Sequence, residues 1–264
     1  MREYEEYRKI LTLWEQEIPK KRIAIMLDIP RATVRDCIER YGSVKGLEDN
    51  RDRATRSTPD EVLDSITDPQ NVLIRQTYAY LLGLYLGDGN IVKVRKVYRI
   101  RITLDAKYPG IIQSCSEAIQ ILLPDNQVSI VNRYHQDRLS CVDVSCFHKF
   151  WSDIFPQHGA GRKHYREIKL EDWQQQIVDS YPLEFFRGLY HSDGSRFSNV
   201  VNGKDYPRYQ FTNLSRDIIQ MFCATCDQLK LHWTAKVRHD EVNDIYISRR
   251  EDVAFLDQHI GPKA

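Results

Sequence analysis

Two short stretches end on a bare carboxylate set between small residues. "LLGLYLGDG", residues 81–89, closes on Asp88, and "FRGLYHSDG", residues 186–194, closes on Asp193. Each reads as an apolar helix that runs up to its acid. Gly83 and Gly87 stand four apart and share one helix face, and Gly188 and Ser192 hold the same places in the second stretch. Small residues at i and i+4 let two helix backbones approach closely. If the two helices pack through those faces, Asp88 and Asp193 arrive side by side. Both acids then meet the negative end of a helix dipole, and they repel each other. A divalent cation relieves that repulsion. Hard oxygen ligands completed by phosphate oxygens suit Mg²⁺, or another divalent ion such as Mn²⁺. One Asp-Gly alone is more simply a turn or a helix stop. The matched pair carries the metal reading.

Such helices need a scaffold that repeats, and residues 73–264 contain one. The first copy reads as a helix ending at Asp88, strands around "NIVKVRK" and "VYRIRITL", and helix "PGIIQSCSEAIQILL". Strands "QVSIVNR" and "LSCVDVS", helix "CFHKFWSDIF" and the tail "GAGRKH" follow. The second copy matches it in order, from the helix ending at Asp193 through "YPRYQFTN", "RDIIQMFCATCDQL", "HWTAKVR", "DIYISR" and "EDVAFLDQHI" to "GPKA". Gly161-Arg162-Lys163 answers Gly261-Pro262-Lys263. Each copy is thus αββαββα, and several segments recurring in one order indicate duplication. The predicted domains are residues 1–42, a linker at 43–72, a first repeat at 73–170 and a second at 171–264.

The strands alternate in a way that suits a nucleic acid. Lys93 and Arg95, then Arg99, Arg101 and Thr103, alternate with Val92, Val94, Tyr98, Ile100 and Ile102. One face is apolar and the other basic, and few acids interrupt it. In the second copy Arg208, Gln210 and Thr212, then Thr234, Lys236 and Arg238, occupy the polar positions. A basic sheet face fits phosphates and guanine edges. An ordinary half-exposed sheet alternates too.

Residues 7–41 read as a compact helical unit that breaks at Asp28-Ile29-Pro30. Val34, Cys37 and Ile38 point one way; Arg31, Thr33 and Arg35 point elsewhere. That pattern fits a helix-turn-helix, with Asp28 at the turn position that favours a left-handed residue. A helical hairpin packing on a partner has the same periodicity. Residues 43–72 are polar and read as linker, within which Arg51, Arg53 and Arg56 either follow a phosphate backbone or form a solvated charge run.

A net charge of +1 across 264 residues does not by itself mark a nucleic-acid binder. The six cysteines have no framework spacing and suit a reducing compartment. Cys223 and Cys226, in "CATC", fall inside an amphipathic helix and read as core. No apolar leader opens the sequence, and "YAYLLGLYLG" is too short to span a bilayer, so a cytoplasmic, nucleoid-associated protein with no membrane partner is expected.

With the paired motifs and strand order in place, residues 73–264 resemble a monomeric two-repeat LAGLIDADG (DOD-type) homing endonuclease with an added N-terminal helix-turn-helix. The resemblance implies an α+β fold of tandem pseudo-twofold αββαββα repeats. Its metal-binding acids fall on Asp88 and Asp193. The basic residue after the last helix of each repeat, which lies near the scissile phosphate, falls on Lys163 and Lys263. Leu86 and His191 stand where the motif commonly has an acid. The implied activity is Mg²⁺-dependent hydrolysis of double-stranded DNA by a metal-activated water, with the sheets in the major groove. A non-cleaving transcription regulator on the same scaffold is the alternative, and an RNA maturase a third. Retention of both acids favours cleavage; the helix-turn-helix is common equipment of regulators.

Overall fold

The computed structural model describes residues 4–48, 59–238 and 241–264. The chain divides into two units, Met1–Glu61 and Val62–Ala264. In the first, α1 (Tyr4–Glu15), α2 (Lys20–Met26) and α3 (Arg31–Tyr41) surround a core of Ile10, Leu11, Ile23, Val34, Cys37 and Ile38. Pro19 and Pro30 stand immediately before α2 and α3. A fixed φ and a missing N–H are tolerated there. Between those helices Asp28 takes φ +51°, in the left-handed region. Arg31 and Arg35 are exposed and Thr33 half-buried at the start of α3. The Arg35 guanidinium is 3.1 Å from Asp36 and 3.8 Å from Glu39. Arg51, Arg53 and Arg56 lie outside the described residues.

The stretch expected to be linker contains a helix, α4 (Pro59–Thr67). Val62 and Ile66, four apart, are buried in the core of the second unit. Three apolar residues, Val62, Leu63 and Ile66, in a polar segment are too short a pattern to stand out from sequence.

The rest of the second unit holds two copies of one plan. In the first, α5 (Val72–Asp88) leads to β1 (Gly89–Val94), β2 (Val97–Asp105), α6 (Pro109–Leu122), β3 (Val128–His135), β4 (Arg138–His148) and α7 (Trp151–Ile154). After α8 (Asp172–Ser180), the second runs α9 (Pro182–Asp193), β5 (Gly194–Val201), β6 (Lys204–Thr212), α10 (Arg216–Gln228), β7 (Trp233–Arg238), β8 (Glu241–Ile247) and α11 (Arg250–His259). Each copy makes a four-stranded antiparallel sheet, in the orders β1-β2-β4-β3 and β5-β6-β8-β7. The fold class is therefore α+β.

Alternation places the sheets on the core. Ile100, Ile102 and Leu104 of β2 and Tyr209 and Phe211 of β6 are buried, whereas Arg99, Arg101, Arg208 and Gln210 between them are only half-buried. The copies differ after their last strand. β4 continues to His148, so the helix expected from residue 146 shrinks to α7, while α11 has ten residues. Cys146 stays in the sheet core, and Trp151 Nε1 donates to its carbonyl at 3.0 Å. Among the described residues no helix is long and apolar enough to cross a membrane.

Candidate active site

Helices α5 and α9 meet backbone to backbone. A carbon added at Gly83 would stand 2.6 Å from the Leu189 nitrogen and the Phe185 carbonyl oxygen, and one at Gly188 would overlap the Tyr80 carbonyl. Further along, Gly87 faces Ser192, and a carbon there would stand 2.6 Å from Asp193 Oδ2. Gly83, Gly87, Gly188 and Ser192 thus all lie in one seam. Across it the Tyr80 hydroxyl and His191 Nδ1 are 3.0 Å apart. Burial, then the charges of Arg187 and Lys263, hold the His191 ring neutral, pushed down to about 3.

The seam delivers Asp88 and Asp193 to one end, both half-buried. Burial pushes both carboxyls above the usual range, and the charge of Asp193 adds to the effect on Asp88, which rises to about 7. The Asn213 amide donates to Asp193 Oδ2 at 2.8 Å and opposes that rise.

Lys163 and Lys263 reach the ends of different helices. Lys163 Nζ donates to the carbonyls of Tyr85, of Leu86 at 2.9 Å and of Gly87 at 3.2 Å, at the end of α5. Lys263 Nζ donates to the Ser192 carbonyl at 2.8 Å, at the end of α9. Each ammonium satisfies carbonyls that a helix end leaves unpaired, where a cation is favoured. Burial pulls Lys163 down to about 8 against the pull of the two aspartates, and lowers Lys263 as well.

Two clefts open at this end. One of about 460 Å³ is lined by Asp193, Asn213, Thr212 and Lys163, and the other, of about 320 Å³, by Asp88, Thr103, His191 and Lys263. Each cleft therefore pairs one aspartate with the lysine of the other copy. Among the described residues no group of three or more His, Cys, Asp or Glu converges. Two carboxylates leave the remaining positions around a cation to water and phosphate oxygens, which is a donor set that Mg²⁺ accepts.

Residues paired across antiparallel strands share a sheet face. Arg99 pairs with Val92 and Phe147, and Arg101 with Asn90 and Ser145, so these arginines face away from the helices. Arg208 and Gln210 do likewise in the second sheet, where Gln210 lines up with Tyr246 and Thr234, and Thr212 with Asp244 and Lys236. The Nε atoms of Arg99, Arg101 and Arg208 are screened from solvent and meet no acceptor among the described residues. Lys93 departs from the expectation. It pairs with Tyr98, on the helix side, with its ammonium 5.7 Å from that ring. Arg95 sits in the hairpin turn at φ +57°. A two-residue turn pairs odd positions with even ones, so counting alternation straight through it puts Lys93 on the wrong face. Arg238 ends β7 beyond a bulge between Lys236 and Val237, and its side chain lies outside the described residues.

Three residues escaped sequence reasoning. The outer faces are not free of acids: Asp143 and Asp244 lie there, each buried and each accepting from a threonine, Thr103 or Thr212, at 2.7 Å. Their repeated place in the fourth strand of each copy, within "LSCVDVS" and "DIYISR", was a usable signal. Asn213 had none, since by strand register its counterpart is Leu104. Cys226 is buried on α10, Cys223 half-buried, and both are free thiols.

No protein-family model and no curated protein matches the chain. Solved structures similar to it include the N-terminal LAGLIDADG domain of DUF199/WhiA, at 13% identity and TM-score 0.49 over 79% of this chain and 92% of that one. The homing endonuclease I-DmoI in complex with DNA and Ca is similar at 17% identity and TM-score 0.47, over 70% and 90%. The homing endonuclease I-WcaI bound to its DNA recognition sequence is similar at 13% identity and TM-score 0.46, over 70% and 80%.

Proposed function

We propose that the chain is a site-specific endonuclease of double-stranded DNA that acts as a monomer. The observation that carries this reading is the pair of half-buried aspartates, Asp88 and Asp193, at the end of the α5–α9 seam, each sharing a cleft with a lysine. Two carboxylates lifted by burial, Asp88 also by the charge of Asp193, are a poor arrangement for stability alone. They suit a divalent cation, Mg²⁺ or Mn²⁺, which supplies a lowered water pKa and neutralises phosphate charge when bound.

The chain's own groups would then divide the work. Asp88 and Asp193 hold the cation, and Asn213 fixes the Asp193 carboxylate through its Oδ2. Lys163 and Lys263 lie beside the acids and offset phosphate charge. Arg99, Arg101, Arg208, Gln210 and Lys236, on the outer sheet faces, track the duplex. The first unit, with Arg31, Thr33 and Arg35 at the start of α3, adds affinity as a helix-turn-helix; Arg35 must exchange its contacts with Asp36 and Glu39 to do so.

The test is selection of bound fragments from random DNA by the full chain, followed by incubation of those fragments with Mg²⁺. Linear products are expected. Asp88→Asn and Asp193→Asn should each stop cutting while binding persists. Binding by the parent and both variants without incision under any divalent metal would make the chain a regulator instead.

A further inference from the structure

The two buried acids of the outer faces hold their neighbours in different ways. Asp143, in the central strand β4, accepts from Thr103 Oγ1 at 2.7 Å through Oδ1. Its Oδ2 takes Arg133 Nε at 2.5 Å, together with an Arg133 Nη2 contact. Arg133 remains about half exposed although its partner is buried. At the equivalent place in β8, Asp244 Oδ1 accepts from Thr212 Oγ1 at 2.7 Å and from Gln210 Nε2 at 3.1 Å. Gln210 Nε2 also meets Thr212 Oγ1 at 2.9 Å.

These grips dictate what each side chain can offer outward. Because Gln210 Nε2 donates to Asp244 Oδ1, the amide turns its NH₂ inward and its Oε1 out. With Nε and one Nη2 hydrogen of Arg133 taken up by Asp143, the guanidinium presents its far edge, which carries donors only. A donor edge complements the O6 and N7 of guanine. An outward carbonyl oxygen complements the exocyclic amine of adenine or cytosine. Resting on the proposal that these faces read DNA, we infer that Asp143 and Asp244 are specificity-positioning residues. Through Arg133 and Gln210 they make the target unlike in its two halves, with guanine read by the first copy and an amine-bearing base by the second.

Fragment selection with the full chain tests this. Arg133→Gln and Gln210→Arg should each alter preference at one base pair, and those two base pairs should lie in opposite halves of the site. Asp143→Asn should weaken the preference for guanine at the Arg133 position by about fivefold or more. Asp244→Asn, which lets the amide turn over, should do the same at the Gln210 position, with preference elsewhere unchanged. Thr212→Val removes one hydroxyl, leaves the acid in place, and should relax the same base pair if Asp244→Asn proves too unstable to select with. A parent that enriches a site while the aspartate variants keep its profile, or lose preference evenly at all positions, overturns this inference alone. A parent that enriches no sequence overturns the DNA reading and this inference with it.

Discussion

Burial first, and then the charge of Asp193, lift the Asp88 carboxyl from 3.8 to about 7, while Lys263 and Lys163 pull it back. The folded chain therefore binds this proton more tightly than the unfolded chain does. For a carboxyl raised in that way, stability is greatest at low pH. It falls as pH rises from 3.8 to about 7, and the loss is complete above that range. At about 1.4 kcal/mol per pKa unit the loss is about 4 kcal/mol at most, and screening at this half-buried end reduces it to about 2 kcal/mol. Without divalent metal, Asp88→Asn should unfold at higher urea than the parent at pH 8, and the gap should close toward pH 4. A parent as stable as the variant at pH 8 would mean that Lys163 and Lys263 already neutralise the pair. Mg²⁺ at pH 8 should raise the parent midpoint and leave that of the variant nearly unchanged, because a ligand stabilises only the state that binds it.

The pairing of α5 with α9 rests on absent side chains. The carbon added at Gly188 would meet the Tyr80 carbonyl oxygen, a backbone atom that cannot swing aside. Gly188→Ala should therefore push the helices apart and lower stability by about 3 kcal/mol in urea unfolding. Gly203→Val, in the β5–β6 turn with nothing within 4 Å of an added carbon, separates the causes, since strain there comes from φ +73° alone. A Gly188→Ala variant as stable as the parent would show that helix contact is not the issue at Gly188. This seam was legible in the sequence because Gly83 and Gly87 recur as Gly188 and Ser192 in a duplicated frame. The αββαββα order was legible for the same reason, each element having a counterpart to check it. Two helices were less legible. Helix α4 offered only Val62, Leu63 and Ile66 above its polar background, and α7, despite its counterpart α11, gave up its first residues to β4, which stays in register with β2 as far as His148. The face of Lys93 depended on the parity of a two-residue turn, which alternation alone does not count.

With 38 basic and 37 acidic residues, the molecule as a whole exerts almost no net pull on DNA. Affinity on the proposed reading must come from local faces, and its salt dependence reports how many cations there meet phosphate. Each neutralised phosphate contributes about 0.9 to the slope of log affinity against log salt for duplex DNA. Arg99 and Arg208 stack over Phe147 and Phe197, at 5.9 and 5.8 Å from the ring centroids. Their Nε atoms are screened from solvent, and the planar heads are held against those rings. A guanidinium held in this way keeps its geometry when a phosphate arrives, so both residues are assigned to phosphate rather than to bases. Arg99→Gln and Arg208→Gln should each weaken binding uniformly across sequences and reduce the slope by about 1, and the double variant by about 2. Fluorescence anisotropy of a labelled target duplex between 50 and 300 mM salt, run with a scrambled duplex alongside, measures both quantities. If either variant instead keeps the parental slope and loses discrimination between the two duplexes, that arginine reads a base edge, and the phosphate-tracking surface lies elsewhere on the sheets.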